Sequence, residues 1–490
     1  MNQYILCYSG NKWYSLNTEN EDFKEGVTLL FTNKYVTFQV SDFIRHLKSE
    51  GKKYVPEIVD FESLDKQFSQ AGKDILKENK WHILKTLRRY EIIDEKYKIE
   101  NIEDFLLKLK CLYEQILSSS NEELERFNEL EIKINKIIHK TQLQGIKIDF
   151  LQVGKRCKKL DRYIYKLKNT LQFEYNIFTP DEKETQLSYI NSKNYKILDS
   201  LNNTITLLRK SDKVCDLFYE LIRSKKDLKS LVFMLSQFGG RDYVHPYFIG
   251  FGSITSRITM KEPALQNLRK ENRDIIIPEQ DKELLYIDYS QFEAGILANM
   301  SKDQDLIKLY NEGDIYDDIA KKVLGKEFDE ESRKEAKILF YRYLYGDDFS
   351  KDTTGIGKKI IAYFSQFPTL TTYKTEFIQL CLKEAKVISL RGNHRILIEQ
   401  NENIWVLSHH IQSIASYIFK KALLDIYESV RGAKLLIPLH DGALYEVDKY
   451  KYEDVKDRIM KSFTKNLQLV CTTLNGSVEI KDFHAYADLS

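Results

Sequence analysis

The sequence has little of what marks flexible, membrane-bound or secreted proteins. Its 490 residues include only 7 prolines and 20 glycines, which argues against long linkers and favours a helix-rich chain. No apolar run approaches the ~18 residues that a membrane-spanning helix needs. The N-terminal segment MNQYILCYSG lacks the basic and apolar regions of a signal peptide. We therefore expect a cytoplasmic protein with no membrane partner.

Disulfide frameworks, zinc motifs and a large charge imbalance are also missing. The 6 cysteines are widely spaced and form no CxxC pair, so we expect free thiols in a reducing compartment. The 75 Lys and Arg residues nearly balance the 73 Asp and Glu residues, for a net charge of +2. Overall charge therefore gives no reason to expect a nucleic-acid partner, and only local patches can do so.

What the sequence does contain is typical of a globular chain. Hydrophobic residues make up 42% and charged residues 30%, and at ~150 residues per domain the length suggests about three domains. Residues 1–60 alternate like strands, whereas residues 61–140 and 180–237 have mostly helical patterns. A predicted helix stops near Gly145, and a short predicted strand follows at 146–148.

A basic run lies between residues 154 and 170, where seven cations accompany a single acid, Asp161. The cations are Lys155, Arg156, Lys158, Lys159, Arg162, Lys166 and Lys168. Such a run forms either a solvated helix face or a surface that binds the phosphate backbone of a nucleic acid. The run by itself leaves both readings open.

Two carboxylates end predicted β-elements that are far apart in the sequence. Asp288 follows the apolar run 284–287, and Asp441 lies beside Gly442 at the tip of a predicted hairpin. If the two converge, they could hold Mg²⁺, which takes one or two protein carboxylates plus substrate phosphates. Two such ions could drive an in-line displacement. The alternative is that both are turn or cap residues.

Four side chains between these carboxylates share one face of a predicted helix. They are Arg333, Lys337, Tyr341 and Tyr345. Asp329 is the predicted N-cap and Gly346 the predicted end of the helix. Cations suit a triphosphate and flat rings suit a base or a sugar, so one nucleoside triphosphate could lie along this face. The alternative is an amphipathic helix with a basic rim.

Three segments form a series of motifs: DYSQFE at 288–293, RKEAKILFYRYLYG at 333–346 and LHDGALYEV at 439–447. They resemble the first palm motif, the fingers-helix motif and the His-Asp palm hairpin of family A of the template-directed DNA polymerases, the DNA polymerase I family. Weaker matches, in the family's order, are GIKID at 145–149, TSRITMKEPALQN at 255–267 and HHIQSIASYIFKKAL at 409–423. The resemblance extends from about residue 125 to the C-terminus.

The resemblance implies an α+β fold shaped like a right hand, with a palm built on an antiparallel sheet and with helical fingers and thumb. A small α/β domain, either accessory or a relic of an exonuclease, is expected at 1–122. The thumb is expected at 123–250, the palm at 251–300 and 401–490, and the fingers at 301–400.

The resemblance also implies roles for individual residues. Asp288 and Asp441 would hold two Mg²⁺ ions, which Mn²⁺ could replace, and the Tyr289 carbonyl would be a further ligand. Lys337 would protonate the leaving pyrophosphate, and Glu293 would exclude a ribose 2′-hydroxyl. The implied nucleotide-binding residues are Arg333, Lys337, Tyr341, Tyr345, Glu293 and Gln291. The implied DNA-binding residues are Arg257, Gln266, Asn267, Gln412, His440, Lys155, Lys158, Lys159 and Arg162.

Four positions depart from the family's pattern. Gly442 replaces a Glu after the His-Asp pair, and Gly295 replaces an Arg near the first motif. Tyr316 replaces a His before the fingers helix, and Ser408 replaces an Asn on the palm helix. We expect fewer polar contacts to primer and phosphate, with activity retained but modest fidelity and processivity.

The N-terminal region offers an incomplete match to the proofreading exonuclease that many family members carry. Asp60 and Glu62 form an Asp-x-Glu pair after a predicted strand, and Tyr90 and Asp94 match the last exonuclease motif in form. The segment between Glu62 and Tyr90 is too short for the sheet and helices that would intervene. We therefore expect no proofreading, with an aberrant nuclease as the alternative.

The expected function is that of a DNA-directed DNA polymerase, a nucleotidyltransferase that uses dNTPs, primer-template DNA and Mg²⁺. Alternatives are a repair or lesion-bypass polymerase, or a catalytically dead DNA-binding relative, although retention of Asp288, Asp441 and Lys337 argues against the latter. Glu293 disfavours a single-subunit RNA polymerase. A phage or another mobile element would suit so short a chain. Accessory replication proteins and the choice of template are not readable from the sequence.

Overall fold

The structure is a computed structural model that describes residues 2–71, 80–195, 197, 200–327, 329–347, 349, 355–397 and 405–485. The chain divides into two compact units. The first unit comprises Met1–Gln144, Tyr247–Lys261 and Gln280–Asp482, and the second comprises Gly145–Pro246, Glu262–Glu279 and Phe483–Ser490.

The first unit opens with a mixed sheet of five strands in the order β3-β2-β1-β4-β5. These strands are β1 (Gln3–Ser9), β2 (Lys12–Asn17), β3 (Phe23–Glu25), β4 (Lys34–Thr37) and β5 (Glu57–Asp60). Strands β1 and β2 form an antiparallel hairpin, whereas β4 runs parallel to both β1 and β5. Helix α1 (Val40–Ser49) forms the crossover from β4 to β5 and packs Phe43 in one buried cluster with Trp13 and Tyr35.

The helices that follow cover the sheet. They are α2 (Phe61–Phe68), α3 (Ile83–Arg89), α4 (Ile102–Ser118), α5 (Asn121–Arg126) and α6 (Ile132–Gln144), with a π-helical turn, Phe127–Glu131, before α6. The apolar face of α4, including Phe105 and Leu109, shares a buried cluster with Ile5 and Val36 of the sheet. The N-terminal region is thus a small α/β layer structure, as the sequence predicts.

The second unit is mostly helical. It contains β6 (Ile146–Lys147), α7 (Phe150–Tyr175), α8 (Lys183–Ser192), α9 (Leu201–Leu208), α10 (Lys213–Phe238) and β7 (Tyr243–Val244). Helices α7 and α10 have 26 residues each, and Ile164 and Leu171 of α7 pack in one cluster with Phe218 of α10. Strands β6 and β7 pair antiparallel through Ile146 and Val244. Two 3₁₀ turns, Leu265–Asn267 and Lys270–Ile275, also belong to this unit.

The rest of the first unit surrounds a second sheet. The elements from residue 247 to residue 383 are β8 (Tyr247–Ile249), β9 (Thr259–Lys261), β10 (Lys282–Tyr289), α11 (Phe292–Ser301), α12 (Gln304–Glu312), α13 (Ile315–Ile319), α14 (Glu330–Leu344), α15 (Ile356–Ser365) and α16 (Pro368–Lys383). The remaining elements are β11 (Lys386–Val387), β12 (Arg395–Ile396), α17 (Val406–Ser429), β13 (Ala433–Pro438), β14 (Gly442–Asp448), α18 (Tyr452–Val470) and β15 (Val478–Lys481).

The second sheet has the order β13-β14-β10-β15, and its strands are antiparallel throughout. On β10, Leu285, Ile287 and Tyr289 are buried, and the Tyr289 hydroxyl donates to the carbonyl of Phe463 in α18. Because side chains alternate along a strand, Asp288 lies on the opposite face of the sheet from this core. The antiparallel palm sheet expected from the sequence is therefore present, with Asp288 available for chemistry.

The two compact units relate to the expected domains as follows. The expected thumb, 123–250, overlaps the second unit at 145–246, whereas residues 123–144 and 247–250 belong to the first unit. Helix α6 is the reason, because Ile134 and Ile138 are buried and its Thr141 hydroxyl donates to the carbonyl of Leu435 in β13. The expected palm and fingers both lie within the first unit, apart from 262–279 and 483–490. None of the helices in the described ranges has the length and hydrophobicity needed to cross a membrane.

Candidate active site

Asp288 and Asp441 lie side by side at one end of the second sheet. Asp288 is the second-last residue of β10 and pairs in register with Gly442 of β14. Asp441 belongs to the short loop between β13 and β14, and its carbonyl accepts a hydrogen bond of 3.0 Å from the Tyr289 backbone N–H. The predicted hairpin thus brings together two acids that are far apart in the sequence.

The burial and the missing hydrogen-bond donor of the Asp441 carboxylate, within the described residues, favour its use as a cation ligand. Its Oδ1 atom is buried and accepts no hydrogen bond from any described residue. Burial raises the pKa of Asp441, and the neighbouring Asp288 adds to the increase, while Arg257 and Lys337 oppose it. A buried carboxylate oxygen without a donor is costly unless a cation approaches it, so these residues fit a divalent ion.

The described residues contain no group of three or more His, Cys, Asp and Glu side chains arranged to hold a metal. Ions at this site would therefore depend on Asp288, Asp441, backbone carbonyls and substrate oxygens. Mg²⁺ suits such a sparse protein contribution, because it commonly keeps waters and phosphate oxygens as ligands.

Arg333, Lys337 and Tyr341, which are predicted to bind the nucleotide, lie on α14, and Tyr345 is its C-cap. Asp329 caps this helix through the Ser332 backbone, and Gly346 follows its last turn, as the sequence predicts. The Lys337 ammonium lies 5.8 Å from the centroid of the Tyr341 ring, and the rings of Tyr341 and Tyr345 are 5.6 Å apart. Lys337 also lowers the pKa of Asp441, which places the cationic face of α14 near the paired acids.

The Tyr316 ring packs against the two cations of this face, Arg333 and Lys337. The sequence did not reveal this role. The Tyr316 side chain is fully buried, and its ring is 5.6 Å from that of Phe340. The Arg333 guanidinium lies 5.2 Å and the Lys337 ammonium 5.8 Å from the same ring. Arg333 is also held at 2.5 Å by Asp314, the N-cap of α13. The aromatic replacement at 316 therefore orients both cations by packing.

Glu293 is buried in the first turn of α11 and forms an ion pair with Arg257 at 2.6 Å. Burial raises the pKa of Glu293 to about 7, although Arg257 opposes the increase. Its second oxygen, Oε2, has no hydrogen-bond partner among the described residues. The Glu293 carboxyl group is therefore shielded from solvent and lies close to Asp441. The charge of Asp441 also contributes to the raised pKa of Glu293.

The other predicted contacts in the first unit have distinct placements. Gln412 of α17 donates to the Tyr345 hydroxyl at 2.9 Å, and His440 is exposed beside Asp441. Although His440 is exposed as a whole residue, partial desolvation of its side chain lowers its pKa, and the nearby Arg257 adds to the decrease. Gln291 has a structural contact, because its amide oxygen accepts from the Ile315 backbone at 2.7 Å and so anchors the start of α13.

The predicted DNA-binding residues of the second unit lie on two elements. Lys155, Lys158, Lys159 and Arg162 are exposed on α7, whereas Gln266 and Asn267 are on a 3₁₀ turn. Two members of the basic run have structural partners instead. Arg156 is buried and pairs with Asp274 at 2.8 Å, and Lys168 pairs with Asp181.

Both glycine departures, Gly295 and Gly442, lie where neighbouring groups leave no room for a side chain. A Cβ atom at Gly295 would lie 2.5 Å from the Tyr310 ring, and one at Gly442 would lie 2.3 Å from the Ile287 carbonyl oxygen. At both positions the backbone of a neighbouring element or a ring occupies the space that a side chain would need. A side chain at either position would therefore require these neighbouring groups to move.

The proposed exonuclease pair of the N-terminal region has structural contacts. Asp60 ends β5 and caps α2 by accepting from the backbones of Glu62 and Ser63 and from the Tyr247 hydroxyl. Glu62 pairs with Lys66 at 2.6 Å and with Lys261 at 3.2 Å. Tyr90 is the C-cap of α3.

The model of the DNA polymerase family A matches residues 118–481. The chain belongs to family A of the DNA polymerases. It is 24% identical over 441 residues to DNA polymerase I of Helicobacter pylori, covering 80% of this chain and 48% of that protein. It is 26% identical over 400 residues to DNA polymerase I of Bacillus subtilis, covering 71% of this chain and 44% of that protein. This family A chain thus spans about half the length of these curated relatives.

The fold of this family A chain is also similar to a solved structure. That structure is the POL domain of Pol1 from M. smegmatis, in complex with DNA primer-template and dNTP. The TM-score is 0.77 at 15% sequence identity, and the similarity covers 99% of this chain and 96% of that one. The similarity extends beyond the family match into the N-terminal α/β region, and it confirms the expected polymerase fold.

Proposed function

We propose that the chain performs template-directed DNA synthesis, joining dNTPs to a primer 3′-hydroxyl and releasing pyrophosphate. The observation that carries the proposal is the meeting of Asp288 and Asp441 beside the Lys337 face of α14. Family membership makes this chemistry the natural use of such a site. The new bond joins the primer O3′ to the α-phosphorus, and the bond from that phosphorus to the pyrophosphate oxygen breaks.

Asp288 and Asp441, with the Tyr289 carbonyl, would hold two divalent ions, with Mg²⁺ as the preferred ion and Mn²⁺ as a substitute. When bound, such ions would lower the pKa of the primer hydroxyl and stabilise charge on the leaving oxygen. The unpartnered Oδ1 of Asp441 supports this assignment. The hydroxyl proton passes to solvent, and Lys337 donates a proton to the departing pyrophosphate.

The nucleotide would lie along α14. Arg333 and Lys337 bind the triphosphate, while Tyr341 and Tyr345 border the sugar and the nascent base pair. Glu293 borders the 2′ carbon of the sugar and leaves no room for a hydroxyl. Gln291 contributes indirectly, because it anchors α13, whose N-cap Asp314 holds Arg333.

Each unit, taken by itself, has residues that the proposal assigns to primer-template binding. Arg257, Gln412 and His440 belong to the first unit and are near the catalytic acids or the Tyr345 ring. In the second unit, the exposed cations of α7 would bind phosphates, and Gln266 and Asn267 would contact the minor groove. No described feature points to a particular accessory protein.

Two further properties belong to this proposal. The engagement of Asp60 and Glu62 in capping and ion pairs supports the absence of proofreading. Free cysteines at all six positions agree with a reducing, cytoplasmic location. A phage or mobile-element source stays a prediction.

Removal of either acid should abolish primer extension and preserve duplex binding. Asp288→Asn and Asp441→Asn keep the shape of the side chain but remove the charge that an ion requires. We expect losses of at least a thousandfold in single-turnover dNTP insertion, with duplex affinity by fluorescence anisotropy within threefold of the parent. Asp448→Asn, at the far end of β14, is the matched control and should remain active. Activity of either site variant within tenfold of the parent would refute the assignment.

A further inference from the structure

Strand β15 places two charged side chains against Asp288. Glu479 pairs in register with Asp288, and Lys481 pairs with Tyr286. Directly opposed residues of antiparallel strands point to the same face, so both side chains share the face of Asp288. The Lys481 ammonium donates to Asp288 Oδ2 at 2.7 Å and lies 3.1 Å from Glu479 Oε2. The other oxygen of Glu479 accepts from the Ser290 hydroxyl.

The opposite neighbour of Asp288 provides no side chain. Gly442 faces Asp288 from β14, and a Cβ atom there would lie 2.8 Å from Asp288 Oδ1. Within the described part of the chain, Lys481 is the residue whose side chain bonds to Asp288. The ammonium therefore occupies a position beside a carboxylate oxygen that a divalent ion would also approach.

We propose that Lys481 is a positioning residue that neutralises Asp288 in the ion-free site and moves onto Glu479 when a divalent ion binds. The proposal rests on the assignment of Asp288 as a metal ligand in the proposed function. An ion held by Asp288 would place a second positive charge beside the Lys481 ammonium, and two cations at close range repel each other. Glu479 is already within reach of Lys481 and is oriented by Ser290, so the transfer needs only a side-chain rotation.

The consequence concerns the order of binding. Lys481 weakens ion binding while the triphosphate is absent, because its charge competes for Asp288. A triphosphate brings negative charge that favours the ion over the lysine. The site therefore binds ions mainly after the nucleotide has bound. Metal binding is thereby limited to the complex of the chain with its nucleotide.

The test measures ion binding by the whole chain without nucleotide. Free Mn²⁺ is followed by electron paramagnetic resonance during titration of the parent, Lys481→Met and the control Lys282→Met. Lys282 pairs with Asp448 at the other end of β10 and lies on the same sheet. We expect Lys481→Met to bind Mn²⁺ about three- to tenfold more tightly, and Lys282→Met to match the parent. Unchanged or weaker binding by Lys481→Met would overturn the proposal.

Glu479→Gln separates an indirect role of Glu479 from direct ligation of the ion. Alone, this variant leaves Lys481 with only Asp288 as a partner, so Mn²⁺ binding should weaken severalfold. The double variant Lys481→Met/Glu479→Gln should bind Mn²⁺ like Lys481→Met. If Glu479 affects ion binding only through Lys481, its substitution has no further effect once Lys481 is absent. A double variant that binds more weakly than Lys481→Met would contradict the proposed transfer.

Failure of the proposed function has a different signature. Asp288→Asn and Asp441→Asn should each remove the Mn²⁺ site that Lys481→Met strengthens. If neither substitution reduces binding, the metal assignment itself is wrong. If both reduce binding while Lys481→Met has no effect, the metal assignment stands and the role of Lys481 fails.

Discussion

At the scale of single residues, the Tyr341 hydroxyl should determine how the enzyme treats chain terminators. Its ring is adjacent to Tyr345 and to the Lys337 ammonium. Burial raises the pKa of Tyr341, with smaller contributions from Tyr316, Glu293 and Asp441, so the hydroxyl stays neutral and can donate. A nucleotide without a 3′-hydroxyl loses a polar contact to its own triphosphate, and this hydroxyl can replace it.

We expect Tyr341→Phe to discriminate against dideoxynucleotides ten- to a hundredfold more than the parent, with little change in dNTP insertion. An unmet polar group in a closed site costs about 1–3 kcal/mol, which corresponds to this range of rates. The measurement is the ratio of ddNTP to dNTP insertion efficiency. Tyr343→Phe is the control, because Tyr343 stacks on Phe364 at 3.8 Å, away from this face. Equal ratios for parent and Tyr341→Phe would show that the hydroxyl does not reach the nucleotide.

Glu293 should select the sugar by its size. The carboxyl group is 2% exposed and is held by Arg257, so it cannot easily yield to a ribose 2′-hydroxyl. Glu293→Ala should therefore raise ribonucleotide insertion by orders of magnitude. Glu293→Gln keeps the volume and should retain most of the selection if exclusion is steric. Single-turnover NTP and dNTP insertion measures both, and an unchanged ratio in Glu293→Ala would exclude the sugar-selecting role.

At the scale of elements, the basic face of α7 should make duplex binding depend on salt. Each phosphate contact contributes a slope of about 0.9 in a plot of log affinity against log salt. Replacing Lys155, Lys158, Lys159 and Arg162 by Gln should lower the slope by about 3–4. These side chains are exposed, so thermal unfolding should not change.

The control for this experiment uses exposed lysines outside the second unit. Lys449 and Lys451 lie on a 3₁₀ turn after β14 and are exposed. Replacing both by Gln should leave the slope unchanged, whereas two phosphate contacts would lower it by about 2. An unchanged slope in the α7 variant would show that its cations form only a solvated helix face.

At the scale of the whole molecule, the chain combines the candidate active site with an N-terminal α/β region whose Asp60 and Glu62 contact neighbouring residues of the fold. Burial and the adjacent Glu62 raise the pKa of Asp60 to about 6, while its oxygens cap α2. A carboxyl group in this situation stabilises a helix terminus and has little freedom to bind a metal. These contacts are the basis for the proposal that the region has no nuclease activity.

We expect a 3′-mismatched primer to remain full length when incubated with the enzyme and Mg²⁺ in the absence of dNTPs. The assay follows primer length on a denaturing gel, with a proofreading polymerase as the positive control. Shortening that disappears in Glu62→Gln would restore the nuclease interpretation. Glu62→Gln is preferred to a change at Asp60, because loss of the Asp60 cap would destabilise α2.

Features that depend on a few neighbouring residues could be read from the sequence. Asp329 and Gly346 delimit α14 because helix ends are set by local caps. The four-residue spacing placed Lys337 and Tyr341 on one face because helical geometry is regular. The hairpin that carries Asp441 was likewise recognisable from turn chemistry beside two apolar runs. The family motifs then made the pairing of Asp288 with Asp441 an expectation.

Only the tertiary structure decided which distant residues meet around that site. The approach of Lys481 to Asp288 depends on the register of β15, an edge strand whose pairing is not encoded in its own four residues. The burial of Tyr316 beneath Lys337 and the pairing of Arg257 with Glu293 likewise join separate elements. Local propensity acts over a few residues, whereas the packing of whole elements sets these contacts, and with them the charges and pKa values of the site.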